Sequence, residues 1–339
     1  MNKIKWINLA RGFAIIMVVL GHAISGASLL NTYHVWSFWN ILYRFITSFH
    51  MPLFFFISGY LYNRHNPCNN LAGYKTNILN KIADLVIPYI IFEFLYVVIG
   101  ILMKDEKYSV SNFLKSIYEP MSHFWFIYVL FFIYLITPIL LYFIRNELLL
   151  SVILVLISIF INDIYKYSYA FPLNNILYYM IFFCVGKYFA KNNFNISLNV
   201  KQSIVIFFGY MVSFFLEIKF MLFDYLIYKI YIAFLALIFI ISMTKRIKYG
   251  KFLEIVGENT MSIYLVHSIF VSASRRVLLN FNFENYIVVF ISSLVGVLIP
   301  LFIGMFAKKD IICGFCLYPR KTYIRVKTKI KDVAKKRTD

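Results

Sequence analysis

Charged residues are scarce in this chain, at 14% of its 339 residues, and acidic residues are the scarcest of them, with 15 Asp and Glu in total. A soluble domain carries about 25% charged and about 45 to 50% apolar residues, whereas 61% of this chain is hydrophobic. The shortage of charge therefore excludes a water-soluble globular domain and predicts an all-α integral membrane protein.

Several catalytic motifs are also absent. The sequence has no Gly-rich phosphate loop, no His-Glu-x-x-His and no Gly-x-Ser-x-Gly, and no histidine is followed by an aspartate three to five residues later. These absences argue against nucleotide hydrolysis, zinc proteolysis and the soluble type of His-Asp acyltransferase. Of the four cysteines, Cys68 and Cys184 stand alone, and Cys313 and Cys316 form a single Cys-x-x-Cys. That is half a zinc site at most, so we expect no metal.

Long apolar segments dominate the chain instead. Runs of about 17 to 25 residues are long enough to cross about 30 Å of hydrocarbon as helices. We predict a bundle of about ten transmembrane helices, with nine or eleven as the alternatives. The predicted spans are residues 7–30, 45–62, 82–103, 124–144, 148–164, 173–190, 202–218, 221–243, 259–279 and 286–306.

The distribution of Lys and Arg predicts the orientation of these spans. With the N-terminus inside, the inner segments and ends hold 25 basic residues and the outer loops hold 8. Because short cytoplasmic loops carry the positive excess, we expect both termini in the cytoplasm. We divide the chain into a transmembrane domain at 1–307 and a basic cytoplasmic tail at 308–339. The net charge of +19 lies at membrane edges and in this tail, which predicts contact with the lipid bilayer and no nucleic acid.

Ionisable residues within membrane spans are costly and are candidates for a functional site. The candidates are Arg11, His22, His50, Glu93, His123, Glu217, Asp224, Lys229 and His267. Each has a simpler interpretation as well, since a histidine can serve only to hydrogen-bond a neighbouring helix and Arg11 can be an interfacial cation that sets topology. Glu93 could be the counter-ion of one of the cations.

Arg11 and His22 open and close the stretch RGFAIIMVVLGH. Eleven helical steps return to within about 20° of the same face and rise about 16 Å, so both residues share one stripe. Arg11 is then placed to bind phosphate as a forked donor. His50, on the antiparallel second helix, falls at a similar depth to His22, and the two imidazoles could face one another.

Four segments, taken in order, resemble the membrane acyltransferase family 3, bacterial enzymes that O-acylate surface polysaccharides and other acceptors. They are the Arg-x10-His of the first helix, FHMPLFFFISGYLY at 49–62, HFWFIYVLFFIYLITP at 123–138, and NTMSIYLVHSIF at 259–270. One position departs from the family, which often carries an arginine a turn before the Pro-Tyr of the third helix. Here NKIADLVIPY offers Lys81 but also Asp84, and an acid is not expected to help bind a CoA phosphate.

The resemblance implies transfer of an acyl group, with acetyl expected, from cytoplasmic acyl-CoA to a hydroxyl of a cell-surface polysaccharide or glycan precursor. It further implies a multi-pass protein of the bacterial inner membrane, no permanently bound cofactor, and polysaccharide-biosynthesis proteins as partners. His22 and His50 would be catalytic, and Arg11, His123, Trp125 and His267 would bind substrates, with Trp125 stacking on a sugar.

The chemistry is consistent with these residue types. An alcohol needs a base of near-neutral pKa to take its proton, and histidine suits that task. His22 would be that general base or a transient acyl carrier, and His50 would orient it or support the oxyanion. The alternative function is a polysaccharide exporter or other membrane transporter, because buried charges also mark transport paths.

Overall fold

A computed structural model of the chain describes residues 4–27, 36–65, 71–103, 109–164, 172–194, 196–222 and 225–335. Cys68 and Asp224 lie outside these ranges. Within them the regular structure is entirely helical. The first half of the chain forms α1 (Lys5–Gly26), α2 (Phe38–Thr47), α3 (His50–His65), α4 (Leu71–Lys81), a π-helical turn (Ile82–Val86), α5 (Ile87–Leu102), α6 (Val110–Lys115), a 3-10 turn (Ser122–Phe124) and α7 (Trp125–Ile144).

The second half continues in the same way. It forms α8 (Glu147–Ile164), α9 (Leu173–Lys191), α10 (Val200–Phe220), α11 (Leu226–Arg246), α12 (Lys251–Glu258), α13 (Thr260–Asn280), α14 (Asn285–Ala307), α15 (Ile312–Leu317) and α16 (Pro319–Lys335). The helix ends follow local chemistry, as where Asn199 and Gln202 form a reciprocal capping box at the start of α10. Between α7 and α8, Arg145 adopts a left-handed conformation that ends the first helix.

Seven helical stretches in the described part of the chain are long and apolar enough to cross a membrane. They are Lys5–Gly26, Phe38–Tyr62, Leu71–Leu102, Ser122–Ile144, Val200–Phe220, Leu226–Arg246 and Asn285–Ala307. The other three predicted spans coincide with α8, α9 and α13, of which α8 has an apolar stretch too short for this criterion and the other two are richer in polar residues. The all-helical membrane fold is therefore confirmed, while the count of about ten and the orientation of the termini stay predictions.

Helix α1 lies at the centre of the bundle, because it packs against α3, α11, α12, α13 and α14. Its residues Ala10, Ala14, Ile15 and Val19 are completely buried. This central position explains how α1 can carry two polar side chains, Arg11 and His22, away from lipid. The predicted stripe thus faces the interior of the protein.

Helices α3 and α9 pack closely along their length and form one wall of the interior. Gly59 and Gly186 permit this approach, since a Cβ at Gly59 would overlap the carbonyl oxygen of Phe183 and a Cβ at Gly186 would overlap that of Phe56. Such small-residue contacts let membrane helices approach to backbone distance. The wall fixes the position of His50 and Met51 at the first turn of α3.

Candidate active site

Three histidine rings meet in the interior of the bundle. The ring centroid of His22 lies 5.0 Å from that of His267 and 5.8 Å from that of His123. The centroids of His123 and His267 are 4.8 Å apart. Helices α1 and α13 and the 3-10 turn before α7 therefore bring together side chains that are up to 245 positions apart in the chain. We call His22, His123 and His267 the histidine cluster.

Backbone hydrogen bonds orient the ring of His267. Its Nδ1 lies 3.0 Å from the carbonyl oxygen of Ile263 and 2.8 Å from that of Tyr264. A carbonyl oxygen can only accept, so Nδ1 carries the hydrogen and Nε2 of the neutral ring keeps its lone pair. The Nε2 atoms of His123 and His267 are both buried, with no hydrogen-bond partner in the described residues. Buried nitrogens in that state are unusual in a purely structural core.

A backbone carbonyl orients the ring of His50. Its Nδ1 lies 2.7 Å from the carbonyl oxygen of Ile46, which leaves Nε2 as its acceptor. His50 interacts electrostatically with His22, but the rings in contact with His22 are those of His123 and His267. The sequence singled out all four of these histidines as candidates. In the structure, the ring of His22 contacts those of His123 and His267, which were predicted to bind substrate.

A cavity of about 340 Å³ is lined by residues that include Arg11 and Tyr264, and no histidine of the cluster is among its lining residues. It extends along α3 from Tyr62 to Met51, eleven residues or about 16 Å of helix. Its inner end is lined by Phe126 and Tyr264. We call it the first cavity. Its volume is in the range of small-molecule and cofactor sites.

Positive charge is concentrated at the mouth of the first cavity. The lining cations are Arg11, Lys81, Arg320 and Lys321, and the lining carboxylates are Asp84 and Glu258. Four cations against two carboxylates give a net charge of +2 there. The ammonium of Lys81 lies 3.9 Å from the ring centroid of Tyr134, another lining residue. A mouth with this charge attracts a polyanionic ligand.

Tyr264 connects the first cavity to the histidine cluster. It lines the cavity, its hydroxyl donates to the carbonyl oxygen of His123, and its ring centroid lies 5.4 Å from that of the His123 ring. It also precedes His267 by one turn of α13. A ligand that fills the cavity therefore ends against the residue that positions two of the three histidines.

A second cavity, of about 280 Å³, opens near the beginning of α3 and has different chemistry. Its lining residues are mostly aromatic, amide or hydroxyl side chains: Thr47, Ser48, Pro52, Asn174, Asn175, Tyr178, Tyr179, Glu217, Leu226, Tyr228, Lys229 and Ile232. Glu217 is 1% exposed and pairs with Arg44 at 3.1 Å. The two cavities come close at α3, where Met51 lines the first and Pro52 lines the second.

Trp125 lies beside the second cavity, in contact with one of its lining residues. Its ring stacks on that of Tyr179, with centroids 5.4 Å apart and planes at 30°. Tyr179 in turn lines the second cavity. A ligand that contacts Trp125 would therefore also meet Tyr179, which the sequence did not single out.

Glu93 forms no ion pair with a cation of the described residues, so its predicted role as a counter-ion stays a prediction. It is completely buried, and its Oε1 accepts a hydrogen bond from the backbone N–H of Met121 at 3.0 Å. The ion pairs among the described residues involve other carboxylates. Glu93 therefore holds the segment that leads into His123, which is a structural contact close to the histidine cluster.

The sequence missed Tyr178 and Tyr179 in the second cavity and Tyr318, Arg320 and Lys321 in the first. The tyrosines gave no signal in a chain with 27 of them. The last three lie in the segment predicted to be a basic tail, where α16 alternates basic and apolar residues. That alternation was the available signal that the segment folds.

Comparison with known proteins gives one match. A family model described as an acyltransferase domain, that of acyltransferase family 3, matches residues 4–305. No curated protein and no solved structure matches the chain. The matched range contains all six predicted site residues and ends before α15 and α16.

Proposed function

Because the chain belongs to acyltransferase family 3 and is a membrane acyltransferase, we propose that it transfers an acyl group from acyl-CoA to a hydroxyl of a cell-surface polysaccharide or glycan precursor. We expect acetyl as the group, acetyl-CoA as the donor, and the bacterial inner membrane as the location. Proteins of polysaccharide biosynthesis would be its partners.

The observation that carries this proposal is a cavity with four lining cations that reaches Tyr264, a residue in contact with His123. The buried Nε2 atoms of His123 and His267 have no hydrogen-bond partner among the described residues. CoA has a triply phosphorylated nucleotide end and a long, uncharged pantetheine arm that ends in the thioester. The net positive charge of the lining suits the phosphates, and the length of α3 that lines the cavity, about 16 Å, suits the arm. The thioester would then lie near Tyr264 and the histidine cluster.

The histidine cluster supplies the base that the reaction needs. In the direct route, His22 takes the proton of the acceptor hydroxyl as its oxygen attacks the thioester carbonyl. The C–O bond forms, the C–S bond breaks, and the imidazolium returns the proton to the leaving thiolate of CoA. In the carrier route, an imidazole nitrogen attacks the thioester carbonyl, the C–S bond breaks, and the thiolate of CoA leaves with the proton of the imidazolium. The hydroxyl oxygen then attacks the acyl-imidazole, the C–N bond breaks, and the freed imidazole takes the proton of the hydroxyl. His50, His123 or His267 would orient His22 or support the oxyanion in either route.

The acceptor is proposed to approach from the second cavity. Tyrosine rings and amide side chains bind the apolar faces and hydroxyls of a sugar, and these are the groups that line this cavity. Trp125 would contribute through its stack with Tyr179. Donor and acceptor would then approach the histidines from different sides of α3.

The test compares surface glycan from cells with the wild-type chain, with His22→Ala and with the gene deleted. Base-labile O-acyl esters are scored by NMR, and glycan quantity and membrane levels of the protein are measured in parallel. We expect the esters to disappear in both mutants while the quantity of surface glycan stays constant. Esters that persist, with glycan retained inside the deletion cells, would instead support an exporter.

A further inference from the structure

The segment after the family-matched region folds back against the bundle. Helix α15 follows α14, and α16 packs against α15 and the π turn. Thr322 of α16 is 3% exposed, and a Cβ at Gly314 of α15 would contact its side chain. Arg325 donates to the carbonyl oxygens of Lys308 and Asp310, in the latter case at 2.7 Å. These contacts fix α16 to the connection that follows α14.

The junction between α15 and α16 forms part of the wall of the first cavity. Leu317, Tyr318, Arg320 and Lys321 line it together with Arg11 from α1. Leu317 is 3% exposed and belongs to the hydrophobic core. Two of the four cations at the mouth therefore come from a segment that lies beyond residue 305, where the family match ends.

An ion pair joins α16 to the π turn. Arg320 Nε lies 3.1 Å from Asp84 Oδ1, and Arg320 Nη2 lies 2.9 Å from Asp84 Oδ2. Two parallel contacts of this kind define both distance and orientation. The same pair neutralises Asp84, the acid that departs from the family pattern. Asp84 thus holds α16 at the mouth and is not left as a free negative charge there.

Lys321 follows Arg320 in α16 and also lines the first cavity. Unlike Arg320, it has no ion pair among the described residues. Its amine interacts electrostatically with Arg11, Arg320, Asp84 and Glu258. Its pKa is lowered, first because the surrounding protein displaces water and second because the charge of Arg11 disfavours another positive charge nearby. Cations held close together in this way are stabilised by an anion between them.

We propose that α16 completes the donor site: Lys321 binds a phosphate of the donor together with Arg11, and the Asp84–Arg320 pair holds α16 in position for this contact. The proposal rests on the proposed function, because the phosphate is taken to be that of a CoA thioester. A lipid headgroup carries the same chemical group, so the experiment separates the two sources.

The experiment measures the binding of CoA and of pantetheine to the full-length protein in phosphatidylcholine nanodiscs. We expect Lys321→Ala to weaken CoA binding about tenfold, as loss of one charged hydrogen bond does, and to leave pantetheine binding unchanged because pantetheine has no phosphate. Lys329→Ala is the matched control, since this exposed lysine lies two turns further along α16 and does not line the cavity. It should bind CoA as the wild type does.

The role of Asp84 and Arg320 is tested by exchange of their charges. Arg320→Ala and Asp84→Asn should each weaken CoA binding, and the double variant Asp84→Arg with Arg320→Asp should restore it. Recovery in the double variant shows positioning by the pair, because a role of Arg320 as a direct phosphate ligand would be lost in that variant. A double variant as weak as the single ones overturns the proposed positioning.

The outcomes distinguish the two proposals. If the wild type binds CoA and Lys321→Ala binds it equally well, the role of α16 is wrong and the proposed function stands. If the wild type binds neither CoA nor pantetheine, the donor is wrong and both proposals fall. If Lys321→Ala changes only the response to added phosphatidylglycerol, Lys321 binds lipid headgroups and the assignment to the donor site is overturned.

Discussion

The two cavities differ in charge, although they adjoin the same helix α3. The first presents four cations and two carboxylates, whereas the second presents tyrosines, two asparagines, Glu217 and Lys229. A binding site usually mirrors the charge of its ligand. This difference is the reason for proposing a polyanionic ligand in the first cavity and a neutral, hydroxyl-rich ligand in the second. In the proposed function, this difference would keep the donor and the acceptor in separate sites.

The largest effect should come from the histidine cluster. We expect His22→Ala to lower kcat by about 10² to 10⁴-fold, the usual contribution of a general base, and to leave the affinity for CoA within about twofold. The measurement is single-turnover acyl transfer with purified protein, alongside CoA binding. If this variant lost CoA binding to the same extent as activity, His22 would belong to the donor site and its separate role as the base would be contradicted.

His267 offers a finer test of the same cluster. Its Nδ1 donates to the carbonyl oxygens of Ile263 and Tyr264, and asparagine can reproduce that donor while glutamine reaches further, towards the position of Nε2. We expect His267→Asn to retain stability and to lose about 10-fold to 10²-fold in kcat, and His267→Gln to be more active than His267→Asn. Equal activity of both variants with the wild type would indicate that Nε2 has no part in the reaction.

The wall that the cavities share can be disturbed at Gly59. A methyl group there would overlap the backbone of Phe183, so Gly59→Ala should lower the free energy of unfolding by about 1 to 3 kcal/mol and weaken the binding of both substrates. Gly209→Ala is the control, because a Cβ at Gly209 meets nothing within 4 Å and alanine favours a helix. Thermal unfolding in detergent checks both variants, and a Gly59→Ala protein as stable as the wild type would contradict the close contact.

The second cavity should respond to changes that leave the first unaffected. We expect Glu217→Gln and Asn175→Ala each to raise the KM for the acceptor about tenfold with the KM for CoA unchanged. Asn175→Ala leaves the pair between Arg44 and Glu217 intact and so controls for loss of that buried contact. Steady-state kinetics with varied donor and acceptor measure both constants. An increase in the KM for CoA alone would reverse our assignment of the two cavities.

The smallest effect concerns pH. The pKa of Lys321 is lowered, first because the surrounding protein displaces water from its amine and then by the charge of Arg11, so its amine loses its charge at a lower pH than a free lysine does. A phosphate contact needs the charged form, and the affinity for CoA should therefore fall as pH rises through this lowered pKa. Lys321→Arg should flatten this alkaline decline, because a guanidinium stays charged there. An unchanged pH profile in this variant would show that another group titrates.

The sequence predicted the features that depend on one helix at a time. The shared stripe of Arg11 and His22 follows from helical geometry alone, and the apolar segments define most of the membrane helices. The histidine cluster was predicted only as separate residues. Its assembly depends on how α13 and the turn at His123 pack around α1, which local periodicity does not encode.

The mouth of the first cavity was harder to predict because its two halves lie far apart in the chain. Asp84 alone is a charge of the wrong sign for a phosphate site, and Arg320 alone is one of many basic residues near the C-terminus. The ion pair between Asp84 and Arg320 explains both residues, because each neutralises the other and together they join α16 to the π turn. An amphipathic basic helix such as α16 could equally rest on lipid headgroups, so its sequence favours no single partner.

The π turn at Ile82–Val86 has a consequence for how this protein can vary. A π turn contains one residue more than the α-helical turn it replaces. Deletion of a single residue there could restore regular α-helix, and it would turn Lys81 about 100° relative to α5 while the membrane-embedded part of α5 kept its own register. The lining of the first cavity, to which Lys81 belongs, could thus be changed by the deletion of one residue, without any substitution in the bundle.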